Sequence, residues 1–206
     1  MIALIDYGMG NIHSVTKALE HVGGRVKLVQ TPADLTGCDR IVFPGVGAFR
    51  DCMATLRRRK LDVALQQAMR QATPILGICL GMQALMHCSH EFGNHRGLAM
   101  IAGEVIPFPP ELPGQGYKIP HMGWNSIQLT GAHPVLTAVE DRQLYFVHSY
   151  FVPTKGSSCV LATSAHGGTT FAAAVGYESL LGVQFHPEKS QQAGLDLLAA
   201  FLRWSG

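Results

Sequence analysis

Apolar positions along the first ninety residues switch between two periods. Ile2-Ala3-Leu4-Ile5 is a short apolar run closed by Asp6, and it reads as a buried strand. After Gly8-Met9-Gly10, Ile12, Val15, Leu19 and Val22 recur at helical spacing, with Asn11 placed to cap that helix and Gly23-Gly24 to stop it. Arg25 to Val29 and Arg40 to Phe43 read as strands again. The second runs into a loop of special residues, Pro44-Gly45-Val46-Gly47. Leu61, Ala64, Leu65, Ala68 and Met69 mark a further helix that ends at Thr73-Pro74, followed by a strand over Ile75 to Ile78 and a helix over Leu80 to Cys88. Strand and helix alternate at βαβ spacing, which predicts a parallel sheet covered on both faces.

Beyond residue 100 the pattern changes. Val105-Ile106, Ser126 to Leu129, Tyr145 to Val147, Cys159 to Thr163, Phe171 to Val175 and Leu181 to Phe185 are short strand candidates with little helix between them. The proline-rich stretch Pro107 to Pro113 is a stiff connector, and a last helix carries Leu195, Leu198, Ala199 and Leu202 on one face. The expected fold is α/β: a three-layer sandwich with a mostly parallel central sheet and antiparallel strands added in the second half.

Composition narrows the function classes. A chain of 206 residues suits one domain, taken as 1–206, and buries a core without disulfide or metal staples. Only 15% of residues are charged, against roughly 25% in an average soluble domain, so the surface is either unusually neutral or partly covered. A net charge of +2 with dispersed Lys and Arg argues against a nucleic-acid groove, and Arg57-Arg58-Arg59-Lys60 reads as a solvated helix face. No apolar run approaches the ~18 residues of a membrane span, and the N-terminus lacks the basic region of a signal peptide. Five cysteines without a C-x-x-C pair suggest reduced thiols and a cytoplasmic location.

Two segments carry candidate chemistry. Gly77-Ile78-Cys79-Leu80-Gly81 lies between a strand and a helix, the cysteine version of a nucleophile turn, where flanking glycines relieve crowding. Cys79 would sit at a helix start, where free N–H groups favour a thiolate, and the Leu80 N–H could donate to an oxyanion. A buried structural cysteine is the competing reading. Val183-Gln184-Phe185-His186-Pro187-Glu188 ends an apolar strand and offers a base and its orienter, since residues two apart in an extended segment share a side. Spacing alone does not bring His186 to Cys79. His90-Glu91 lacks the second histidine of a zinc-protease helix, no His pairs with Cys at ligand spacing, and neither a metal nor another cofactor is expected. Gly8-Met9-Gly10 lacks the third glycine of a dinucleotide fingerprint and reads as a βα turn. Trp124 is either a core residue or an exposed interface anchor.

Together, Pro44-Gly45-Val46-Gly47-Ala48-Phe49, Gly77-Ile78-Cys79-Leu80-Gly81-Met82-Gln83 and Gln184-Phe185-His186-Pro187-Glu188 resemble the class I glutamine amidotransferases. That resemblance implies a flavodoxin-like fold and a Cys-His-Glu triad of Cys79, His186 and Glu188. It also implies L-glutamine as substrate, surrounded by Gln83, Glu91, Ser149 and Tyr150, with oxyanion donors from Leu80 and the Gly45-Val46-Gly47 loop. More narrowly, three further motifs resemble the glutaminase-subunit family of imidazole glycerol phosphate synthases, of histidine biosynthesis. They are Asp6-Tyr7-Gly8-Met9-Gly10-Asn11, Pro120-His121-Met122-Gly123-Trp124-Asn125 and Tyr145-Phe146-Val147-His148-Ser149-Tyr150, with Lys189-Ser190 after the Glu.

The narrower resemblance implies a heterodimer in which ammonia passes to a (β/α)8-barrel cyclase subunit making imidazole glycerol phosphate and AICAR. It places Asn11, His121, Trp124 and Lys189 toward that partner. No nucleic acid or membrane enters. Phe151 departs from a second Tyr common in relatives and leaves the triad untouched. Gly45 suggests a switch, because glycine permits a peptide orientation that alanine resists. Amidotransferase subunits of other synthases, a related cysteine peptidase, a non-catalytic module and a surface-sugar paralogue are the rival readings. If the chain is a covered subunit, its charge deficit should concentrate around Trp124 and the mouth of the triad.

Overall fold

A computed structural model describes residues 1–155 and 159–206. The first half alternates as the sequence predicts. Strands β1 (Ile2–Ile5), β2 (Val26–Val29), β3 (Arg40–Gly45) and β4 (Ile75–Cys79) are linked through α1 (Ile12–His21), α2 (Phe49–Arg58) and α3 (Leu61–Arg70), and α4 (Leu80–Leu85) follows directly. The second half supplies the short strands β5 (Cys88–Ser89), β6 (His95–Arg96), β7 (Glu104–Pro107), β8 (His121–Ser126), β9 (Gln128–Leu129), β10 (Gln143–His148) and β11 (Tyr150–Phe151). Longer strands β12 (Val160–His166) and β13 (Thr169–Tyr177), then β14 (Leu180–Val183) and α5 (Gln191–Arg203), complete the chain.

Eight strands form the central sheet in the order β2-β1-β3-β4-β14-β13-β12-β9. The first five are parallel and the last three antiparallel. The parallel order is that of flavodoxin-like doubly wound sheets, whose ligands bind at the carboxyl ends of the strands. Strands β1, β4 and β14 are wholly buried, as their near-continuous apolar sequences require. Alternation divides each between two cores. Ile2 and Leu4 join Val15, Leu19, Leu197 and Phe201 on one face, while Ala3 and Ile5 join Phe49, Leu56, Leu61 and Leu65 on the other. Two smaller sheets, β10-β8 and β11-β7-β5-β6, stand beside the central one. Among the described residues no helix is long and apolar enough to cross a membrane.

Several local expectations are corrected. Helix α2 buries Phe49, Cys52, Met53 and Leu56, a helical spacing masked in sequence by the charged residues that fill its outer face. The helix expected over Leu80 to Cys88 ends at Leu85, because Met86 turns extended and Cys88 pairs with Glu104. The strand expected over Ser126 to Leu129 is two strands, His121–Ser126 paired with β10 and Gln128–Leu129 paired with β12. On α5 the buried stripe is Ala193, Gly194, Leu197, Leu198, Ala200 and Phe201, with Leu195, Ala199 and Leu202 only half-buried. The reason is Gly194, which presses onto the Pro187 carbonyl so closely that a Cβ there would lie 1.8 Å from the oxygen. The basic run is not purely solvated: Arg59 donates to the Asp6 carbonyl at 2.8 Å and Arg57 to the Arg96 carbonyl at 2.6 Å.

Candidate active site

Three segments meet at the carboxyl ends of β3, β4 and β14. Cys79, the last residue of β4, caps α4 with φ 53° and ψ −108°, a backbone conformation sparsely populated by non-glycine residues. Such a residue costs on the order of 1–3 kcal/mol and persists only where its surroundings over-determine it. The glycines on either side do so. A Cβ on Gly81 would stand 1.9 Å from the Phe43 carbonyl, and one on Gly77 2.9 Å from atoms of Gly81 and Met82. Glycine at both positions lets α4 seat on β3 and β4, and the turn between them lifts Cys79 to the end of the sheet.

His186 and Glu188 arrive by a different geometry from the extended segment expected. His186 is extended, but Pro187–Lys189 forms a 3-10 turn that folds Glu188 back onto the ring. The His186 Nδ1–Glu188 Oε1 distance is 2.8 Å, and the two side chains are 2% and 1% exposed. Ser190 locks the turn by donating to the His186 carbonyl at 2.7 Å. His186 Nε2 and Glu188 Oε2 have no hydrogen-bond partner among the described residues. Burial alone would lower the pKa of His186. The charge of Cys79, followed by the hydrogen bond and charge of Glu188, outweighs burial and pushes it up to about 10. The sulfur itself lies 3.7 Å from Gln184 Nε2 and 3.9 Å from the Val147 carbonyl.

Cys79 and His186 line a pocket of about 500 Å³ together with Val46, Gly47, Leu80, Gln83, Glu91, Phe92, Ser149 and Tyr150. A larger hollow of about 740 Å³ lies along α2 and α3, away from the thiol and the His–Glu pair. The Glu91 carboxylate accepts from the Phe49 N–H at 2.6 Å, tying the pocket to the start of α2, and burial together with Glu91 raises the pKa of Tyr150. Gly47 has φ +93°, but Gly45 does not need the left-handed region. A Cβ at Gly45 would lie 2.6 Å from the Tyr7 hydroxyl and 2.9 Å from the Leu80 Cβ. Close approach accounts for glycine at 45, where the sequence reading invoked conformational freedom.

A family model, glutamine amidotransferase class-I, matches residues 3–203. The chain belongs to the class I glutamine amidotransferases. Among curated relatives of this amidotransferase, imidazole glycerol phosphate synthase subunit HisH of Methylococcus capsulatus is 49% identical, covering 98% of this chain and 96% of its own length. The same-named subunit of Pseudomonas syringae is 47% identical over 100% of this chain and 98% of its own. A solved PurLQS structure from Thermotoga maritima superposes with a TM-score of 0.76 at 19% identity, covering 98% of this chain and 97% of that one. That likeness is one of fold.

The other sequence-nominated residues of the amidotransferase separate into groups. Trp124 is 46% exposed and packs edge-on against Tyr145, over whose ring the exposed Lys189 reaches, 5.7 Å from its centroid. Asn11 is half-buried at the start of α1. His121 is corrected: it is 5% exposed and cannot present its ring to a partner, because the alternation of β8 turns it inward while Met122 and Trp124 turn out. His148 and Gln184 were passed over as site residues, although both lie within motifs quoted for the resemblance. Nothing in their spacing sets them apart, since their roles come from strand register. Away from the pocket, Cys88, His90 and Glu104 offer donor atoms within 4.8 Å of one another, of which His90 and Glu104 pair directly at 2.8 Å.

Proposed function

We propose that this chain, read as one domain over 1–206, is the cytoplasmic glutaminase subunit of an imidazole glycerol phosphate synthase. Cys79 attacks the side-chain amide of L-glutamine, and His186 takes the thiol proton and returns it to the leaving ammonia. Glu188 holds the imidazole by its Nδ1–H and stabilises the imidazolium. Water then cleaves the thioester to glutamate, with His186 now acting as base and restoring the thiol. N–H groups of Leu80 and of the Gly45-Val46-Gly47 loop stabilise the oxyanion, a contribution for which each donor is typically worth roughly 100- to 1000-fold in rate. Gln83, Glu91, Ser149 and Tyr150 bind the glutamine.

The observation that carries this reading is the buried His186–Glu188 pair beside the Cys79 thiol, in a chain whose full length matches subunits of that name. Ammonia passes to a (β/α)8-barrel cyclase, and Asn11, Trp124 and Lys189 face that partner. Exposed apolar side chains support a covered mouth: Val46 and Phe92 line the pocket, and Met122 and Trp124 stand exposed on the strand that follows its lining residue Pro120. The test is glutamate release with and without the barrel cyclase and its nucleotide. Release that rises on adding the cyclase and vanishes in Cys79→Ala is expected. An active Cys79→Ala would overturn the chemistry, and a wild type indifferent to the cyclase would overturn the partner.

A further inference from the structure

Register places His121 directly across from His148 in the β8–β10 pair, and both rings turn inward. The hydrogen bonds they make have directions that can be worked out one link at a time. The Tyr150 carbonyl can only accept, so the His148 Nδ1 that lies 2.9 Å from it carries a proton. Burial, together with the neighbouring histidines, lowers the pKa of His148 to about 3, so the ring is neutral at pH 7 and its Nε2 is bare. That bare nitrogen, 3.1 Å from His121 Nδ1, must accept from it. Burial and His166 lower the pKa of His121 to about 4, which leaves its own Nε2 bare to accept from Asn125 Nδ2 at 3.4 Å. The Asn125 amide cannot be reversed, since its Oδ1 accepts from the Ser126 N–H at 2.9 Å and its Nδ2 also donates to the Ala165 carbonyl at 2.9 Å.

The Tyr150 carbonyl accepts from a second direction. Gln83 Nε2 donates to it at 3.0 Å and to Gln184 Oε1 at 3.0 Å, which orients the Gln184 Nε2 as a donor toward the Cys79 sulfur at 3.7 Å. Both Gln side chains are buried, so a reversed amide would leave donors and acceptors unpaired away from water. One chain of donors, starting on β8, therefore ends at the Tyr150 carbonyl, and the same carbonyl takes one hydrogen of Gln83, whose other hydrogen starts the chain that ends at the thiol.

We propose that Asn125, His121 and His148 are positioning residues for the Cys79 site. They hold the Tyr150 carbonyl against Gln83 and, through Gln83 and Gln184, fix the donor aimed at the sulfur. The inward face of β8 is thus tied to the nucleophile, while its outward face carries Trp124. The inference rests on the glutaminase reading for its effect on turnover, but its geometry is independent of it.

The experiment combines a tautomer measurement with two substitutions. In the full-length chain labelled with 15N-histidine, long-range proton–nitrogen spectra at pH 7 should show Nδ1 protonated and Nε2 bare in both His121 and His148. His148→Leu removes the link to Tyr150, whereas His148→Asn retains a donor near the Nδ1 position. His148→Leu should lower kcat for glutamine about tenfold, the scale of one lost hydrogen bond, with KM changed less, and should slow alkylation of Cys79 followed by peptide mass spectrometry. His148→Asn should recover most of both. Protonated Nε2 in either ring overturns the chain, as does a His148→Leu protein with wild-type kcat and Cys79 alkylation, or equal losses in Leu and Asn. A wild type that releases no glutamate defeats the glutaminase reading alone, because the tautomers and the alkylation rates still decide this one.

Discussion

Cys79 holds φ 53° because the positions two residues away on each side, 77 and 81, are glycines that nothing larger could replace. At this scale chemistry is governed by two side chains that reset the third. His186 is buried, which taken alone lowers its pKa, yet Cys79 and Glu188 raise it to about 10. Replacing Cys79 with Ala removes the largest raising influence, so the His186 pKa should fall below that of the wild type in an NMR titration. The sign for stability follows. A folded pKa above the ordinary value of 6.5 adds stability that is fully present below pH 6.5 and is lost as pH rises through about 10. Cys79→Ala should therefore lose less stability across that alkaline range, measured by urea unfolding at fixed pH steps. Glu188→Gln keeps the shape but loses the charge beside Nδ1. Its glutaminase kcat should fall roughly 100-fold or more, with KM changed far less.

Between the residue and the fold stand elements whose contacts are set by missing side chains. Helix α5 rests on the His186–Lys189 turn through Gly194, which leaves no room for a methyl beside the Pro187 carbonyl. Gly194→Ala should cost about 1–3 kcal/mol in thermal or urea unfolding and should reduce activity as well, because the turn it displaces carries His186 and Glu188. Gly114→Ala, where a Cβ would meet nothing within 4 Å, is the control and should leave both unchanged.

How far the sequence could be read also divides at this scale. Strands β1, β3 and β4 and the turn around Cys79 were legible because unbroken apolar runs and flanking glycines are local signals. The 3-10 turn at Pro187 was not, since Pro187 suits an extended path equally and the choice was made by α5. Neither was the inward face of β8. In Pro120-His121-Met122-Gly123-Trp124-Asn125 only pairing with β10 decides which side chains go in, and that pairing joins residues 17 to 27 positions apart.

At the scale of the whole molecule, the sparse charge of the sequence has a local counterpart in the pocket. The pocket holds one carboxylate, Glu91, among its lining side chains, which also include the exposed Val46 and Phe92, and Met122 and Trp124 are exposed on β8. A pocket lining with so little charge meets an apolar partner surface at little cost in ion desolvation, and interface cores are depleted of charge for this reason. Trp124 has the size and the exposure of an energetic anchor. Trp124→Ala should weaken binding to the barrel cyclase by about 2 kcal/mol or more in titration calorimetry, while the unstimulated rate on glutamine stays at the wild-type level.

The two faces of β8 also constrain how this strand can change length. Side-chain direction in a strand has a period of two, so one residue inserted between His121 and Trp124 reverses the parity between them. With His121 held opposite His148, the indole would swing into the core, or the strand would have to absorb the extra residue as a bulge. One codon's worth of insertion would thus strip the anchor from the outer surface and leave Asn125 on the wrong side of the ribbon, whereas two would restore the parity of both.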